Sequence, residues 1–140
     1  MRKNVHEVLT ETAKINTKVA KIEYLKKADC PALKDILRIN FDDTIVSLLP
    51  KGAPPYKKDN MPDGVNYTSL NRQMQKFAYF FKGKFTEMNQ IKREKIFAEV
   101  LEGINPGDAE VLIAAKDKNL KYKGITKKLV MDAFPNLIRK

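Results

Sequence analysis

Between residues 69 and 81 the apolar side chains fall at Leu70, Met74, Phe77, Ala78 and Phe81, the i, i+4, i+7, i+8, i+11 spacing of one helix face. An uninterrupted stripe of this kind commits the chain to a core built from helices. The spacing predicts that Phe77 and Phe81 are buried and leaves Tyr79 and Phe80 off the stripe as an exposed aromatic pair. Lys82-Gly83-Lys84 then closes the segment, with a glycine at the position after the helix end.

The same period recurs along the rest of the chain. Val5, Val8, Leu9 and Thr12 mark a helix over 4–14. Asn16-Thr17 opens a second that runs to about Ala28, with Val19, Ile22 and Leu25 toward the core and Lys18, Lys21 and Lys26 away from it. Pro31 suits the first turn of a third, striped by Leu33, Ile36, Leu37 and Phe41. Past Asp42-Asp43, a fourth carries Ile45, Leu48 and Leu49 and stops at Pro50. Thr86 or Asn89 caps a helix whose Phe97, Val100, Leu101 and Ile104 face inward and whose Lys92, Arg93 and Lys95 face out. Asn105-Pro106-Gly107-Asp108 starts the next, with Val111, Leu112, Ala114 and Ala115 as a wide stripe whose small alanines suit close packing. The expectation is an all-α, single compact bundle of about eight short helices, with no strand and no internal repeat.

Residues 50–66, PKGAPPYKKDNMPDGVN, hold four prolines and two glycines and no period, which reads as a loop joining the halves 1–49 and 67–140 of one domain spanning 1–140. A loop this long is often functional. Lys51, Tyr56, Lys57 and Lys58 either touch a partner or belong to a solvated connector.

At 140 residues and 43% hydrophobic composition the chain can bury one real core. Its 27 Lys and Arg against 17 Asp and Glu give a formal charge of +10, which for a compact domain points to a polyanionic partner. Nucleic acid fits better than lipid, because no apolar run approaches a membrane span and the first residues lack a signal-peptide core. The single Cys30 builds no disulfide framework and reads as a small buried or half-buried residue. An intracellular location follows.

The charge concentrates in residues 119–140, NLKYKGITKKLVMDAFPNLIRK. Lys121, Lys123, Lys127 and Lys128 surround Gly124 with no acid among them, and Thr126 is placed to cap a short helix striped by Leu129, Val130, Ala133 and Phe134 and ended by Pro135. Taken singly these lysines are solubilising side chains; as an ordered cluster beside a glycine and a capped helix start they form a candidate anion contact. The series Leu120, Gly124, Leu129-Val130 and Ala133-Phe134-Pro135-Asn136-Leu137-Ile138 resembles the end of the N-terminal DNA-binding domain of ATP-dependent DNA ligases, especially those of T-even-like phages, in the order of helices rather than in identities. The resemblance implies a ligase DNA-binding-domain-like fold standing alone, a phage origin with the host cytoplasm as location and the virion left open, and contact between double-stranded DNA and Lys121, Lys123, Gly124, Thr126, Lys127 and Lys128. It adds Lys82, Gly83 and Lys84, which without it are only a helix end.

Catalytic chemistry has little to stand on. His6 is the only histidine, no His or Cys spacing makes a zinc site, and neither phosphate-binding glycine motif occurs. The ligase-type Lys-x-Asp-Gly is missing, the lone Asp63-Gly64 being preceded by Met61-Pro62, so the chain cannot seal a nick. Asp42 and Asp43, neighbours at a helix boundary, read as caps rather than metal ligands. The reading is a non-enzymatic, sequence-tolerant protein that grips the phosphate backbone of double-stranded DNA, with no cofactor. The alternative is a phage structural or adaptor protein that binds a phage or host replication or transcription protein through its helical surface, motivated by Tyr79, Phe80 and the proline-rich loop. RNA binding ranks third.

Overall fold

The computed structural model describes residues 5–28, 30–57, 70–83, 85–135 and 137. Lys58, Lys84, Asn136, Ile138 and the side chains of Leu70 and Met74, all named above, lie outside this description. Among the described residues the chain is all-helical, with one isolated bridge and no strand. The α-helices are α1 (Val5–Lys14), α2 (Lys18–Lys27), α3 (Pro31–Phe41), a single turn α4 (Leu70–Gln73), α5 (Gln90–Gly103), α6 (Pro106–Lys116) and α7 (Lys127–Ala133). Six of them exceed one turn, fewer than the expected eight or so.

The two losses have physical causes. Residues 43–49 are not helical, because Asp42 Oδ1 accepts from the Thr44 amide at 2.9 Å and from its hydroxyl at 2.6 Å, forming an Asx turn that diverts the chain. The residues beyond it run extended, Leu48 N–H donating to Phe80 O and Lys82 N–H to Val46 O, each at 2.8 Å, around a bridge between Ser47 and Phe81. Asp42 is thus a turn residue, as its neighbour-pair pattern suggested. Of the segment expected to be one α-helix, residues 70–79 are helical, but after α4 the chain tightens into a 3-10 helix over Met74–Tyr79. Three residues per turn bring Phe77 and Phe80 onto the same side instead of Phe77 and Phe81. Phe80 is therefore fully buried, edge-on to Phe97 at 5.1 Å, while Phe81 is half-buried. Tyr79 is half-buried too, its ring edge-on to Phe85 at 4.6 Å, so the pair expected to be exposed is not.

At the centre α3 packs against α6, and α1 against both α2 and α6. Leu33, Ile36 and Leu37 of α3 meet Leu112 and the small Ala109 and Ala115 of α6, all fully buried. Asn89, Asn105, Thr17 and Thr126 each cap a helix through a side-chain oxygen, Asn89 rather than Thr86 serving α5. The start of α6 is also tied to α1. Asp108, buried in its first turn, accepts from the His6 amide at 2.8 Å and lies 2.9 Å from His6 Nδ1, and a Cβ at Gly107 would come within 2.6 Å of the imidazole. Residues 50–57 lie on α5 and α6: Gly52 N–H donates to Asp117 at 2.8 Å and Lys57 N–H to Glu102 at 2.9 Å.

Two basic residues expected at the surface are inside. Val19 is 68% exposed, and the buried side of α2 carries Lys21 and Leu25 instead. The Lys21 ammonium donates to Thr12 O at 2.9 Å and to Ile15 O, closing the carboxyl end of α1. Arg93 is 3% exposed, its guanidinium donating to Tyr79 O and Phe85 O at 2.8 Å and to Thr86 O at 3.0 Å. Each follows one rule: a long stem is buried when its charged tip reaches carbonyls left open by a chain reversal.

Candidate nucleic-acid interface

Residues 117–126 join α6 to α7, and this connection is anchored at both ends. At the first, the Asn119 amide donates to Ala114 O at 2.8 Å and the Lys118 amide to Ala115 O at 2.9 Å, the paired bonds of a Schellman helix end, with Lys118 at φ 55° where glycine is usual. The Lys118 ammonium then donates to Ile39 O at 2.7 Å and Asp42 O at 2.8 Å, and buried Asn40 accepts from the Leu120 amide at 3.0 Å. The start of the basic segment is thereby fixed to the end of α3. Burial holds the Lys118 amine below the ordinary lysine range, with Lys127 adding to the effect and Asp43 and Asp42 opposing it.

At the other end, Ile125 is buried and its amide donates to Tyr122 O at 3.1 Å. Gly124 stands inside this turn at φ 76°, as a type II turn requires of its third residue. Any side chain there would also meet Lys21, whose Cε lies 2.9 Å from the Cβ position. Thr126 accepts from the Leu129 amide at 3.2 Å, and α7 buries Leu129, Val130 and Ala133 while packing on α2. Lys18 and Asp132 join the two helices at 2.7 Å, and this contact holds the Asp132 carboxyl below its usual range.

Lys121 and Lys123 between these anchors, and Lys127 and Lys128 in the first turn of α7, are all exposed. Lys127 lies 3.9 Å from Asp43, and Lys128 is close enough to Asp132 to help Lys18 hold that carboxyl down. Gly124, Thr126 and Lys128 share a shallow recess of about 290 Å³ with Lys18 and Lys21 of α2. Lys18 is a further basic group at this recess that the sequence did not single out; it stands more than a hundred residues before every cluster lysine, so no local pattern could place it there.

The second candidate turn is separate but adjacent. Lys82 and Gly83 are exposed, the Gly83 amide donating to Thr86 Oγ1 at 2.8 Å, with Arg93 fixing the backbone behind them; Lys84 lies outside the described residues. The Asp42–Thr44 turn is common to both: Lys118 and Lys127 reach Asp42 and Asp43, and Lys82 lines a recess together with Asp42 and Thr44. Among the described residues no group of three or more His, Cys, Asp or Glu is placed to hold a metal ion, and no helix is long and apolar enough to cross a membrane.

The model of a family of unknown function, DUF6433, matches residues 8–122, a span that runs from within α1 through α6 to the first part of the basic segment. No curated protein matches the chain.

Proposed function

We propose, from the premise that the chain belongs to DUF6433, that it is a non-enzymatic protein that binds double-stranded DNA through its phosphate backbone with little regard to sequence. One observation carries this reading. Lys121, Lys123, Lys127 and Lys128 are exposed on a segment bonded to α3 at one end and capped onto α7 at the other, so four ammonium groups are presented on a fixed backbone, with only Asp43 near Lys127 and Asp132 near Lys128 to offset them among the described residues. Fixed cations exchanging condensed counterions for phosphates supply most of sequence-independent affinity. The resemblance to the DNA-binding domain of phage ligases points the same way and would make the fold and the phage origin those of that family.

Nothing long and basic enough to read bases in a major groove is present among the described helices, which favours backbone contact over sequence readout. Of the two grounds for the adaptor reading, the aromatic pair supplies none at the surface, because Phe80 is in the core and Tyr79 is engaged with Phe85, and the proline-rich loop remains. Titration of a random duplex across a salt series tests the proposal. The log of the affinity should fall against log salt with a slope of roughly −3 to −4 from these four lysines, at about −0.9 per contact. A protein with no measurable duplex affinity at low salt does not bind DNA in this way.

A further inference from the structure

A recess of about 380 Å³ opens between α3, the Asp42–Thr44 turn and the 3-10 segment, and none of the cluster lysines lines it. Its floor is apolar, from Ile39, Phe77 and Phe81, and its rim carries Asp35, Arg38 and Lys82. An apolar recess within the roughly 300–1,000 Å³ of ligand pockets, with a few converging polar groups, is the usual form of a small-molecule site.

The rim groups are uncommitted. Asp35 and Arg38 stand one turn apart on α3, where opposite charges readily pair. Yet no hydrogen bond or ion pair engages the side chain of either among the described residues. Burial pushes the half-buried Asp35 carboxyl above its usual range, and the nearby Arg38 charge only opposes this. The fold thus bears the desolvation of a carboxylate that it does not use. The other carboxylate of the recess, Asp42, is occupied by Thr44. Apart from the Coulombic pull of Arg38 on Asp35, the recess offers a ligand one acceptor, two cationic donors and apolar walls that include the half-buried ring of Phe81.

A matching ligand needs a flat apolar body, adjacent N–H donors for Asp35, acceptors for Arg38 and an anion for Lys82. Guanine offers N1–H and its exocyclic amine side by side, O6 and N7 as acceptors, and a 5′-phosphate beyond the sugar. Adenine and cytosine place an acceptor beside their amine, which a carboxylate repels, and thymine has a single N–H between two carbonyls. We propose that this recess binds the base of an unpaired guanine nucleotide, with Asp35 on the donor edge, Arg38 on the acceptor edge and Lys82 on the phosphate. None of the cluster lysines takes part, so the site stands independently of the phosphate grip.

The test is a ¹H–¹⁵N NMR titration with guanosine, inosine and adenosine 5′-monophosphates. Inosine monophosphate lacks only the exocyclic amine. Guanosine monophosphate should shift the amides around Asp35, Ile39 and Phe81 and bind about tenfold more tightly than the other two, the scale of one hydrogen bond to a charged group. Asp35→Asn should abolish that preference, and Lys82→Ala, at an exposed position, should weaken all three alike. A short oligothymidine with one central guanine distinguishes the source: tighter, Asp35-dependent binding than the mononucleotide assigns the site to a strand, and weaker binding to the free nucleotide. Absence of shifts at millimolar guanosine monophosphate, equal affinity for the three nucleotides, or a preference retained in Asp35→Asn would each overturn the proposal. Nucleotide binding without duplex binding would leave this site in place and remove the phosphate grip.

Discussion

The ammonium of Lys21 donates to the carbonyl of Thr12 at 2.9 Å, so that a side chain of α2 closes the end of α1. Lys21 is 9% exposed and reaches Ile15 O as well, and Lys118 does the same for the end of α3 through Ile39 O and Asp42 O. Part of the chain's positive charge is therefore structural. Lys21→Met keeps the buried stem and removes the bonds, leaving carbonyls of a helix end without a donor; it should cost about 2 kcal/mol in a urea melt. Lys26→Met, at an exposed position on the same helix, should stay within about 0.5 kcal/mol. Equal effects would mean that the Lys21 bonds contribute nothing.

The aromatic segment gives a second test. Phe80 is 0% exposed and packs on Phe97, so Phe80→Ala should destabilise by about 3–5 kcal/mol, at least as much as Phe77→Ala. Denaturant melts of the two variants decide it. If Phe80→Ala costs under about 1 kcal/mol, the ring is at the surface and the 3-10 register is wrong.

That register marks where the sequence stopped being informative. Apolar spacing identified α1, α3, α5 and α6 and their buried residues, since a stripe at 3.6 periods has one interpretation when the helix is long. It could not tell a 3-10 turn from an α-helix over 74–79, because the tightening comes from pairing of Phe80 and Lys82 with residues 46–48, which are remote in sequence. In α2 the exposed Val19 and buried Lys21 reverse the hydrophobic rule for the same kind of reason: the acceptors that make Lys21 worth burying belong to α1. The candidate site was legible as composition, in the run of lysines around Gly124 and the cap at Thr126. Its anchoring by Lys118 and Asn40, and the presence of Lys18, depend on tertiary contacts alone.

Two carboxylates should respond to acid with opposite signs. Asp35 holds its proton more tightly folded than unfolded, so its favourable contribution is present below the unfolded value of 3.8 and is lost as pH rises through the folded one. Asp35→Asn should therefore stabilise the protein at pH 7 and lose that advantage in acid. Asp132 is the reverse: Lys18 lowers its folded value, so its contribution is present above 3.8 and is lost as pH falls through the folded value. Asp132→Asn should weaken the fold at pH 7 and converge with the wild type in acid. Melting temperatures from pH 3 to 7 test both, and parallel curves for all three proteins would contradict both assignments.

The lysine cluster is best tested by changing charge and backbone separately. Lys123→Ala with Lys127→Ala removes two exposed cations that carry no buried contact, so folding stability should change by less than about 0.5 kcal/mol. Binding to duplexes of any sequence should weaken alike, and the salt slope should flatten by about two, because each lost phosphate contact retains about 0.9 of a counterion. Gly124→Ala behaves differently. Its φ of 76° costs a side chain roughly 1–2 kcal/mol, and the new Cβ displaces the stem of Lys21, which loosens the end of α1 as well. That variant should lose stability and some affinity yet keep the wild-type salt slope, since no charge is gone. If the double lysine variant binds duplex DNA with unchanged affinity and slope, phosphates are not held at residues 121–128, whatever the protein binds elsewhere.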